Sequence, residues 1–341
     1  MSFESLGLSP PLVRAVTLMG LAQPTAVQVQ AIPAVLQGSD VLVQAQTGSG
    51  KTVAFALPVL ERLQSGPTHT PRRVRALVLV PTRELAAQVG EVVRSLAQHL
   101  PQALKVAVVL GGVSVNPQMM GLRGGADVVV ATPGRLLDLV EHNALRLAHV
   151  QMLVLDEADH LLDLGFADEV GRVLALLPPQ RQNLLFSATL GPQVRTLAES
   201  LLNAPLRIDV PDAASEQPVI EQRVIQVDAT RRTELLRHLI QEQGWQRVLV
   251  FVATQYAAQH VAWKLYKAGL FATPFHGGMS QGARTQVLAE FKAGRWDVVV
   301  TTDLAARGID IAQLPVVVNY DLPRSATDYV HRIGRTGRAG G

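Results

Sequence analysis

Residues 41–52 read VLVQAQTGSGKT, a short apolar run that passes into a glycine-rich turn and ends on a lysine and a threonine. The run predicts a buried β-strand, and the turn matches a phosphate-binding loop, with Ala45 where the first glycine usually stands. In such a loop backbone N–H groups point at phosphates, the lysine reaches the β- and γ-phosphates, and the threonine hydroxyl ligates Mg²⁺. The alternative is an ordinary glycine-rich turn between a strand and a helix. We expect a nucleotide to be bound here by Gln46, Thr47, Gly48, Ser49, Gly50, Lys51 and Thr52.

Short aliphatic and β-branched runs recur along the rest of the chain, separated by longer amphipathic segments. Runs that are apolar on both faces are typical of buried parallel strands, and their alternation with helices is typical of βαβ units. We therefore expect an α/β fold with two mostly parallel sheets, each flanked by helices. The expected strands form a first series at 41–45, 76–80, 106–110, 127–130, 152–155 and 184–186, and a second series at 224–227, 248–252, 298–300 and 316–319.

The length of 341 residues exceeds what one hydrophobic core usually serves, so two domains are expected. Residues 205–218 separate the two series of strands and contain Pro205, Pro211 and Pro218 without sustained periodicity. A segment of this kind is typical of a linker. The sequence therefore predicts a first domain at 1–204, a linker at 205–218 and a second domain at 219–341.

The composition is that of an ordinary globular protein, with 48% hydrophobic and 17% charged residues. No apolar run approaches the roughly 20 residues of a membrane span, and the N-terminus has no signal-peptide pattern. The absence of cysteine excludes disulfides and thiolate metal sites, and the histidines lack metal-ligand spacing. We therefore expect a cytoplasmic protein with no membrane association and no structural metal. The net charge of +3 is too small to indicate nucleic-acid binding by itself.

A second chemical motif, Asp156-Glu157-Ala158-Asp159, follows the apolar run at 152–155. A carboxylate directly after a buried strand is typical of the residue that holds Mg²⁺ in nucleoside triphosphatases, which assigns that role to Asp156. Glu157 is then placed to orient or deprotonate an attacking water. A solvated acidic turn is the alternative, but the phosphate loop about 100 residues upstream favours the catalytic interpretation.

Together these motifs closely resemble those of the DEAD-box RNA helicases, and the resemblance runs from Phe3 to Arg338. It implies two tandem RecA-like domains with an ATP site in the cleft between them, and the pattern is most similar to bacterial members of the RhlE-type branch. Residues 24–28, PTAVQ, resemble the Q motif of the family. The resemblance implies that Gln28 recognises the adenine through its amide and that Phe3 packs near the same base.

Residues 187–189, SAT, follow the expected strand at 184–186 and resemble the family motif that links hydrolysis to domain closure. The resemblance implies that the hydroxyls of Ser187 and Thr189 hydrogen-bond Asp159 and His331. Three small residues could equally cap a helix, and only their order and spacing favour the coupling role.

Residues 331–338, HRIGRTGR, resemble motif VI of the family. The resemblance implies that Arg335 and Arg338 reach across the cleft and stabilise charge on the phosphoryl group during transfer. An ordinary basic stretch that binds RNA is the alternative. By the same resemblance, the segment RGID at 307–310 implies a coupling role for Arg307 and a ribose contact for Asp310.

Four groups of residues resemble the segments that line RNA in the family. Small and polar residues of this kind suit contacts with phosphates and 2′-hydroxyls, so RNA binding without base specificity is expected; a turn or helix cap is the alternative for each group alone. Aromatic residues make up only 4% of the chain, so no stacking platform is expected, and Trp245, Trp263 and Trp296 are expected to pack in cores or interfaces. The RNA-contacting candidates are Pro81, Thr82 and Arg83, then Gly111 and Gly112, then Thr132, Pro133, Gly134 and Arg135, and in the second domain Gln281, Arg284 and Thr302.

The sequence therefore predicts an RNA-dependent ATPase that uses ATP and Mg²⁺ to unwind short RNA duplexes locally. One ATP per chain is expected, because residues 253–255, ATQ, follow the strand at 248–252 in place of a second phosphate loop. A DNA translocase and a hydrolysis-dead RNA clamp are the alternatives, and a monomer is favoured. The sequence stops at Gly341, where family members continue with a further strand and helix, so we expect the second domain to be truncated at its C-terminus.

Overall fold

The structure is a computed structural model, and it describes residues 2–46, 48–67, 69–210, 220–306, 314–323 and 325–336, apart from the side chains of residues 326, 327, 330 and 331. The chain forms two compact units, Met1–Ala213 and Ala214–Gly341. Across the described part of the chain, no helix is both long enough and apolar enough to span a membrane.

The first unit is built on a seven-stranded sheet in which every pair of neighbouring strands is parallel. The strands lie in the order β3-β4-β2-β5-β6-β1-β7, so all six strands expected in the first series are present. They are β1 (Val41–Gln44), β2 (Ala76–Leu79), β3 (Val106–Val109), β4 (Val128–Ala131), β5 (Met152–Leu155), β6 (Gln182–Ser187) and β7 (Leu206–Asp209). The helices are α1 (Pro10–Leu18), α2 (Ala26–Leu36), α3 (Lys51–Gln64), α4 (Arg83–Ala97), α5 (Val115–Gly121), α6 (Pro133–Glu141), α7 (Ala158–Asp163), α8 (Ala167–Ala175) and α9 (Pro192–Leu201), after a 3₁₀ turn at Phe3–Leu6.

Helices cover both faces of this sheet, which explains why its central strands are apolar throughout. In β2, Ala76 and Val78 pack with residues of α2, α3 and α4, whereas Leu77 and Leu79 pack with residues of α6, α8 and α9. Because successive side chains of a strand point to opposite faces, each face needs apolar residues of its own. Polar side chains are therefore left to the strand ends.

The segment 205–218, expected to be a linker, is corrected in its first part. Residues Leu206–Asp209 form β7, which pairs in parallel with β1 at the edge of the sheet. Only Ile208 of this strand is buried, because an edge strand has a single neighbour. One buried residue between two prolines gives no strand pattern, so the sequence signal was that of a loop. Residues 211–218 lie outside the described part of the chain.

The second unit has a four-stranded parallel sheet in the order β11-β8-β10-β9. The two parallel-sheet domains expected from the sequence are thus confirmed. The strands are β8 (Val248–Phe251), β9 (Ala272–Phe275), β10 (Val298–Thr301) and β11 (Val316–Asn319). The helices are α10 (Arg232–Glu242), α11 (Gln255–Lys267), α12 (Gln281–Lys292), α13 (Asp303–Ala306) and α14 (Ala326–Ile333), with a 3₁₀ turn at Ala229–Arg231.

Two strand assignments in the second unit were wrong. Residues 224–227, expected to form a strand, are irregular, and Val224 is fully exposed. The alternation of this run suits a strand, but no described strand pairs with it. Conversely, β9 was not expected, because Pro274 interrupts its short apolar run. Proline is tolerated there because β9 lies at the edge of the sheet and has only β10 as a neighbour.

A buried ion pair joins the amino ends of β2, β3 and β4. The side chains of Arg75 and Asp127 are 2% and 3% exposed, and their Nη2 and Oδ1 atoms are 3.0 Å apart. Asp127 also accepts from the backbone N–H of Lys105 at 2.9 Å, and Arg75 donates to the carbonyl oxygen of Leu63 at 2.8 Å. Each charge is thus balanced within the interior.

Replacing Arg75 by Met is expected to lower the free energy of unfolding by about 3 kcal/mol, because it leaves the buried Asp127 carboxylate with only the partly exposed Arg72 as an ionic partner. Urea-induced unfolding measures the change. The control is Arg172→Met, which breaks the exposed Arg172–Glu141 pair and should cost no more than about 1 kcal/mol. Equal losses of unfolding free energy in the two variants would show that burial does not determine how much an ion pair stabilises this protein.

Candidate functional site

The chemical motifs of the first unit gather at the carboxyl edge of its sheet. The phosphate loop follows β1, Ser187 ends β6, Asp156 follows β5 and Pro81 follows β2 closely. These four strands are neighbours in the order β2-β5-β6-β1. The carboxyl edge of an open parallel sheet is where ligands bind in such folds, so the topology brings the separate motifs to one place.

A hydrogen bond from Lys51 joins the two ends of the phosphate loop. Lys51 is the first residue of α3 and is buried, and its Nζ donates to the carbonyl oxygen of Ala45 at 2.8 Å. Within the loop the Ser49 hydroxyl donates to the carbonyl oxygen of Gln46 at 2.7 Å, and Gly48 and Gly50 have φ angles of 81° and 89°. Thr52 follows in α3, and Thr47 lies outside the described residues.

The Q motif is bonded to the phosphate loop. Thr25 and Gln28 form a capping box at the start of α2, in which Gln28 Oε1 accepts from the N–H of Thr25 at 2.9 Å. Gln28 Nε2 donates to the carbonyl oxygen of Gly50 at 3.2 Å, and the Thr25 hydroxyl donates to that of Ser49 at 2.8 Å. A methyl group on Gly50 would come within 2.5 Å of Gln28 Nε2. Both this close approach and the positive φ of residue 50 therefore require glycine.

Two residues expected at the adenine are instead engaged with protein. Gln28 is 2% exposed, and both ends of its amide are used in the bonds described above. Phe3 is 4% exposed and belongs to the hydrophobic core of the first unit. Their contacts with a base stay predictions, and for Gln28 they require its present hydrogen bonds to be exchanged.

Asp156, Glu157 and Asp159 are all buried at the end of β5. Glu157 has a left-handed backbone with φ 51°, which is uncommon for a residue other than glycine. Its N–H donates to Asp156 Oδ1 at 3.0 Å, and its Oε2 lies 2.9 Å from His160 Nδ1. His160, the residue after the motif, was not identified from the sequence, because histidine at that position forms no recognised pattern.

Burial and neighbouring groups act differently on these three carboxyls. Burial, aided by the charges of Glu157 and Asp159, raises the pKa of Asp156 to about 6 against the opposing charge of Lys51. Burial acts in the same direction on Glu157, but the hydrogen bond and charge of His160 together with the charge of Lys51 outweigh it and leave the Glu157 pKa below its ordinary value. For Asp159 the effect of burial is outweighed by His160 and by hydrogen bonds from Thr189, so its pKa is also lowered. Asp156 is therefore the carboxyl whose charge the protein stabilises least.

Replacing Asp156 by Asn is expected to stabilise the protein by about 1–3 kcal/mol at neutral pH without nucleotide or divalent cation. Because the folded pKa of about 6 exceeds the ordinary 3.8, the folded state binds the proton more tightly, and stability is lost as the pH rises through 6. The gain should shrink as the pH falls from 6 towards 4. Urea-induced unfolding at several pH values measures it, with Asp209→Asn on the exposed edge strand as the control. A gain in the free energy of unfolding that does not change with pH would contradict the raised pKa of Asp156.

The SAT motif contacts Asp159 as the resemblance implied. Asp159 Oδ2 accepts from both the N–H and the hydroxyl of Thr189 at 2.9 Å. The Ser187 hydroxyl accepts from the Asp159 N–H at 3.3 Å and donates to the carbonyl oxygen of Thr189 at 2.7 Å. The side chain of His331, the other expected partner, lies outside the described residues.

The structure brings together the three RNA-contacting segments expected in the first unit. A methyl group built on Gly112 would lie 1.7 Å from Arg83 Nη1 and one on Gly111 would lie 3.7 Å from Arg83 Nε, so the guanidinium rests on this glycine turn. Arg135 Nη2 donates to the carbonyl oxygen of Val113 in the same turn at 2.9 Å. Two arginines from different helices thus meet at one backbone turn. The remaining candidates begin these helices: Thr82 caps α4 and follows Pro81, and Thr132, Pro133 and Gly134 begin α6.

Only some of the site residues expected in the second unit lie in the described part of the chain. Gln281 begins α12, and Arg284 in the same helix is buried with its guanidinium 4.8 Å from the centre of the Phe275 ring. The Thr302 hydroxyl accepts from the N–H of Ala305 at 3.4 Å at the start of α13. The carbonyl oxygen of Arg335 accepts from the N–H of Leu314 at 3.0 Å. Arg307, Asp310 and Arg338 lie outside the described residues.

Arg332 is buried in the second unit and makes several hydrogen bonds there. The sequence did not single it out within HRIGRTGR. Its guanidinium donates to both carboxylate oxygens of Asp303, to Asn319 Oδ1 at 2.8 Å and to the carbonyl oxygen of Asp321. It also lies 5.0 Å from the centre of the Phe251 ring. One arginine of this basic motif is therefore structural, and burial rather than sequence spacing distinguishes it.

The expectation that no exposed aromatic platform exists was wrong, and Trp263 does not pack in the core of the second unit. It is 56% exposed on α11, where its ring stacks with that of His260 at 6.5 Å. His260 in turn stacks with Tyr256 at 5.7 Å, and Lys267 lies 5.6 Å from the centre of the Trp263 ring. The helical spacing of these residues places them on one face, which the expectation overlooked.

Comparisons with known proteins identify the family to which this chain is similar. The family profile of the DEAD/DEAH box helicases matches residues 25–197, and that of the helicase conserved C-terminal domain matches residues 231–340. The DEAD-box ATP-dependent RNA helicase CshA of Bacillus cereus is 39% identical over 339 residues, covering 99% of this chain and 63% of the relative. The ATP-dependent RNA helicase DeaD of Mycobacterium tuberculosis is 42% identical over 336 residues, covering 98% of this chain and 58% of the relative. The chain thus spans about three fifths of the length of these two curated relatives.

Solved structures of similar proteins include Saccharomyces cerevisiae Dbp5 bound to RNA and ADP BeF3. It matches with a TM-score of 0.83 and 32% identity, covering 99% of this chain and 86% of that one. A DEAD box protein from the hyperthermophile Methanococcus jannaschii matches with a TM-score of 0.58 and 36% identity, covering 100% and 91%.

Proposed function

Because the chain belongs to the DEAD/DEAH box helicase family, we propose that it is an ATP-dependent RNA helicase that unwinds short duplexes locally. Its two parallel-sheet domains are RecA-like, as in the solved helicase structures. The observation that carries the proposal is the joint burial of Lys51, Asp156 and Glu157 at one sheet edge, which supplies a phosphate-binding cation and two carboxylates with different pKa values. The names of the relatives, which are RNA helicases, support the choice of RNA.

The first unit would bind the triphosphate of ATP through the phosphate loop. The Lys51 ammonium, now bonded to Ala45, would exchange that carbonyl oxygen for phosphate oxygens. The positive end of α3 and the loop N–H groups would add to the attraction. A change in the loop would also change the hydrogen bond between Gln28 Nε2 and the carbonyl oxygen of Gly50. The Q motif would therefore respond to the bound phosphates.

The residues at this edge fit a magnesium ion, which we propose is held by Asp156 and Thr52. The Asp156 carboxyl is buried with a raised pKa, so a neighbouring cation would stabilise its charged form, and carboxylate and hydroxyl oxygens are the ligands that Mg²⁺ takes. When bound, Mg²⁺ neutralises charge on the phosphate oxygens.

For hydrolysis we assign Glu157 as the residue that orients the attacking water and accepts its proton. Its lowered pKa keeps it ionised and able to accept at neutral pH. By resemblance to the family, Arg335 and Arg338 would stabilise the charge of the transferring group, Asp310 would bind the ribose, and Arg307 and His331 would couple hydrolysis to closure.

For RNA we propose contact through the turn shared by Arg83 and Arg135, and through Gln281, Arg284 and Thr302 of the second unit. Guanidinium groups held against a backbone turn recognise phosphates and carry no base information. Binding would therefore be independent of sequence. We also propose a cytoplasmic location, in keeping with a sequence that has no cysteine.

The proposal is tested by ATP hydrolysis measured alone, with single-stranded RNA and with DNA of the same sequence. We expect RNA to stimulate hydrolysis and DNA not to do so. Equal stimulation by DNA would favour a DNA translocase, and RNA binding without hydrolysis would favour a clamp. Either result would overturn the proposed function.

A further inference from the structure

We infer that His160 is a positioning residue that holds the Glu157 carboxylate in the orientation needed for hydrolysis. The inference rests on the proposed function, because it assigns His160 a task in the reaction of that site. It concerns a side chain that lies just outside the DEAD motif, in the first turn of α7.

The contact is short and lies in the interior. His160 Nδ1 and Glu157 Oε2 are 2.9 Å apart, and the two side chains are 6% and 9% exposed. A carboxylate oxygen accepts hydrogen bonds, so Nδ1 of His160 is the donor in this contact. A hydrogen bond to a charged group away from solvent is among the stronger ones in proteins.

The backbone of Glu157 explains why its side chain needs such a partner. With φ 51° it is held in the left-handed region immediately before α7 begins. That conformation turns the chain sharply between β5 and α7, and a non-glycine residue persists in it only when its surroundings fix it. The bond to His160, three residues later, joins the carboxylate to the first turn of the helix.

His160 also joins Glu157 to Asp159. The N–H of His160 donates to Asp159 Oδ1 at 3.1 Å, while Asp159 Oδ2 accepts from Thr189. A continuous set of hydrogen bonds therefore runs from the SAT motif through Asp159 and His160 to Glu157. A shift of the SAT motif would move the same residue that orients the catalytic carboxylate.

The alternative is that His160 merely fills space in α7, and substitutions of similar size separate the two. In His160→Asn the amide nitrogen occupies the position of Nδ1 and can still donate to Glu157. In His160→Gln the amide lies near the position of Nε2 instead, and His160→Leu removes the donor. A space-filling role predicts similar behaviour for all three.

The experiment measures kcat and KM for ATP in RNA-stimulated hydrolysis with the full chain. We expect His160→Leu and His160→Gln to lower kcat about tenfold with little change in KM, and His160→Asn to recover most of the loss. His142→Leu, which removes an exposed histidine at the end of α6, is the control and should behave as wild type.

Wild-type kcat in His160→Leu, or equal losses in His160→Asn and His160→Gln, would overturn the inference. If His160→Leu proves unstable in a thermal melt, the comparison of the Asn and Gln variants decides alone, since both are polar. Failure of the proposed function would look different, because the wild-type protein itself would then lack RNA-stimulated hydrolysis.

Discussion

Replacing Glu157 by Gln is expected to lower RNA-stimulated ATP hydrolysis by about three orders of magnitude. The substitution keeps the shape of the side chain and its place beside His160, but it removes the negative charge that would accept a proton from water. The backbone conformation and the Asp156 contact involve the main chain of Glu157, so they should be preserved. Single-turnover hydrolysis with saturating RNA measures the chemical step most directly.

The same variant is expected to bind ATP as well as the wild type, because Lys51 and the phosphate loop are unchanged. Glu141→Gln, at an exposed surface pair with Arg172, is the matched control and should hydrolyse ATP normally. If Glu157→Gln kept wild-type hydrolysis, the general base would have to be sought elsewhere. Weak ATP binding in the variant would instead show that the carboxylate serves binding rather than chemistry.

Replacing Lys51 by Ala is expected to weaken ATP binding by about 10²–10³-fold, because a buried ammonium that pairs with phosphate oxygens is lost. A second effect adds to this loss. Burial raises the pKa of Asp156, and the charge of Lys51 opposes that rise, so its removal leaves the carboxylates with less compensation. The Asp156 carboxyl would then be protonated more readily and would hold Mg²⁺ less well.

Calorimetric titration with ATP measures the change, and Lys264→Ala on the exposed face of α11 provides the control. The protein should remain folded, since the Lys51 ammonium donates to the carbonyl oxygen of Ala45 in the loop rather than to a group in the apolar core. ATP affinity close to that of the wild type would mean that the closed loop seen here is not the phosphate site.

Several of the strands that the sequence predicted correctly are buried on both faces. In β2, β4, β5 and β8 every residue is buried, and a continuous apolar run of this kind leaves little choice of structure. Two edge strands were missed, because β7 buries only Ile208 and β9 contains Pro274. Residues 224–227 show the reverse error, since an alternating pattern without a neighbouring strand does not form a sheet.

The position of the candidate site and the contact of the SAT motif with Asp159 could be predicted from the motifs, but its other contacts could not. The loop, the acids and the SAT motif each follow a strand, and parallel topology brings strand ends together. By contrast, the bonds of Gln28 to Gly50 and of His160 to Glu157 depend on rotamers and backbone angles that exist only in the folded chain. The burial of Arg332 among three polar partners likewise has no signal in a run of basic residues.

The most direct test of ATP-driven RNA unwinding is release of a labelled strand from a short RNA duplex by the wild-type chain. We expect release with ATP, little release without nucleotide, and no repeated release by Glu157→Gln. Equal release with and without ATP, or wild-type release by Glu157→Gln, would contradict the coupling of unwinding to hydrolysis at this site.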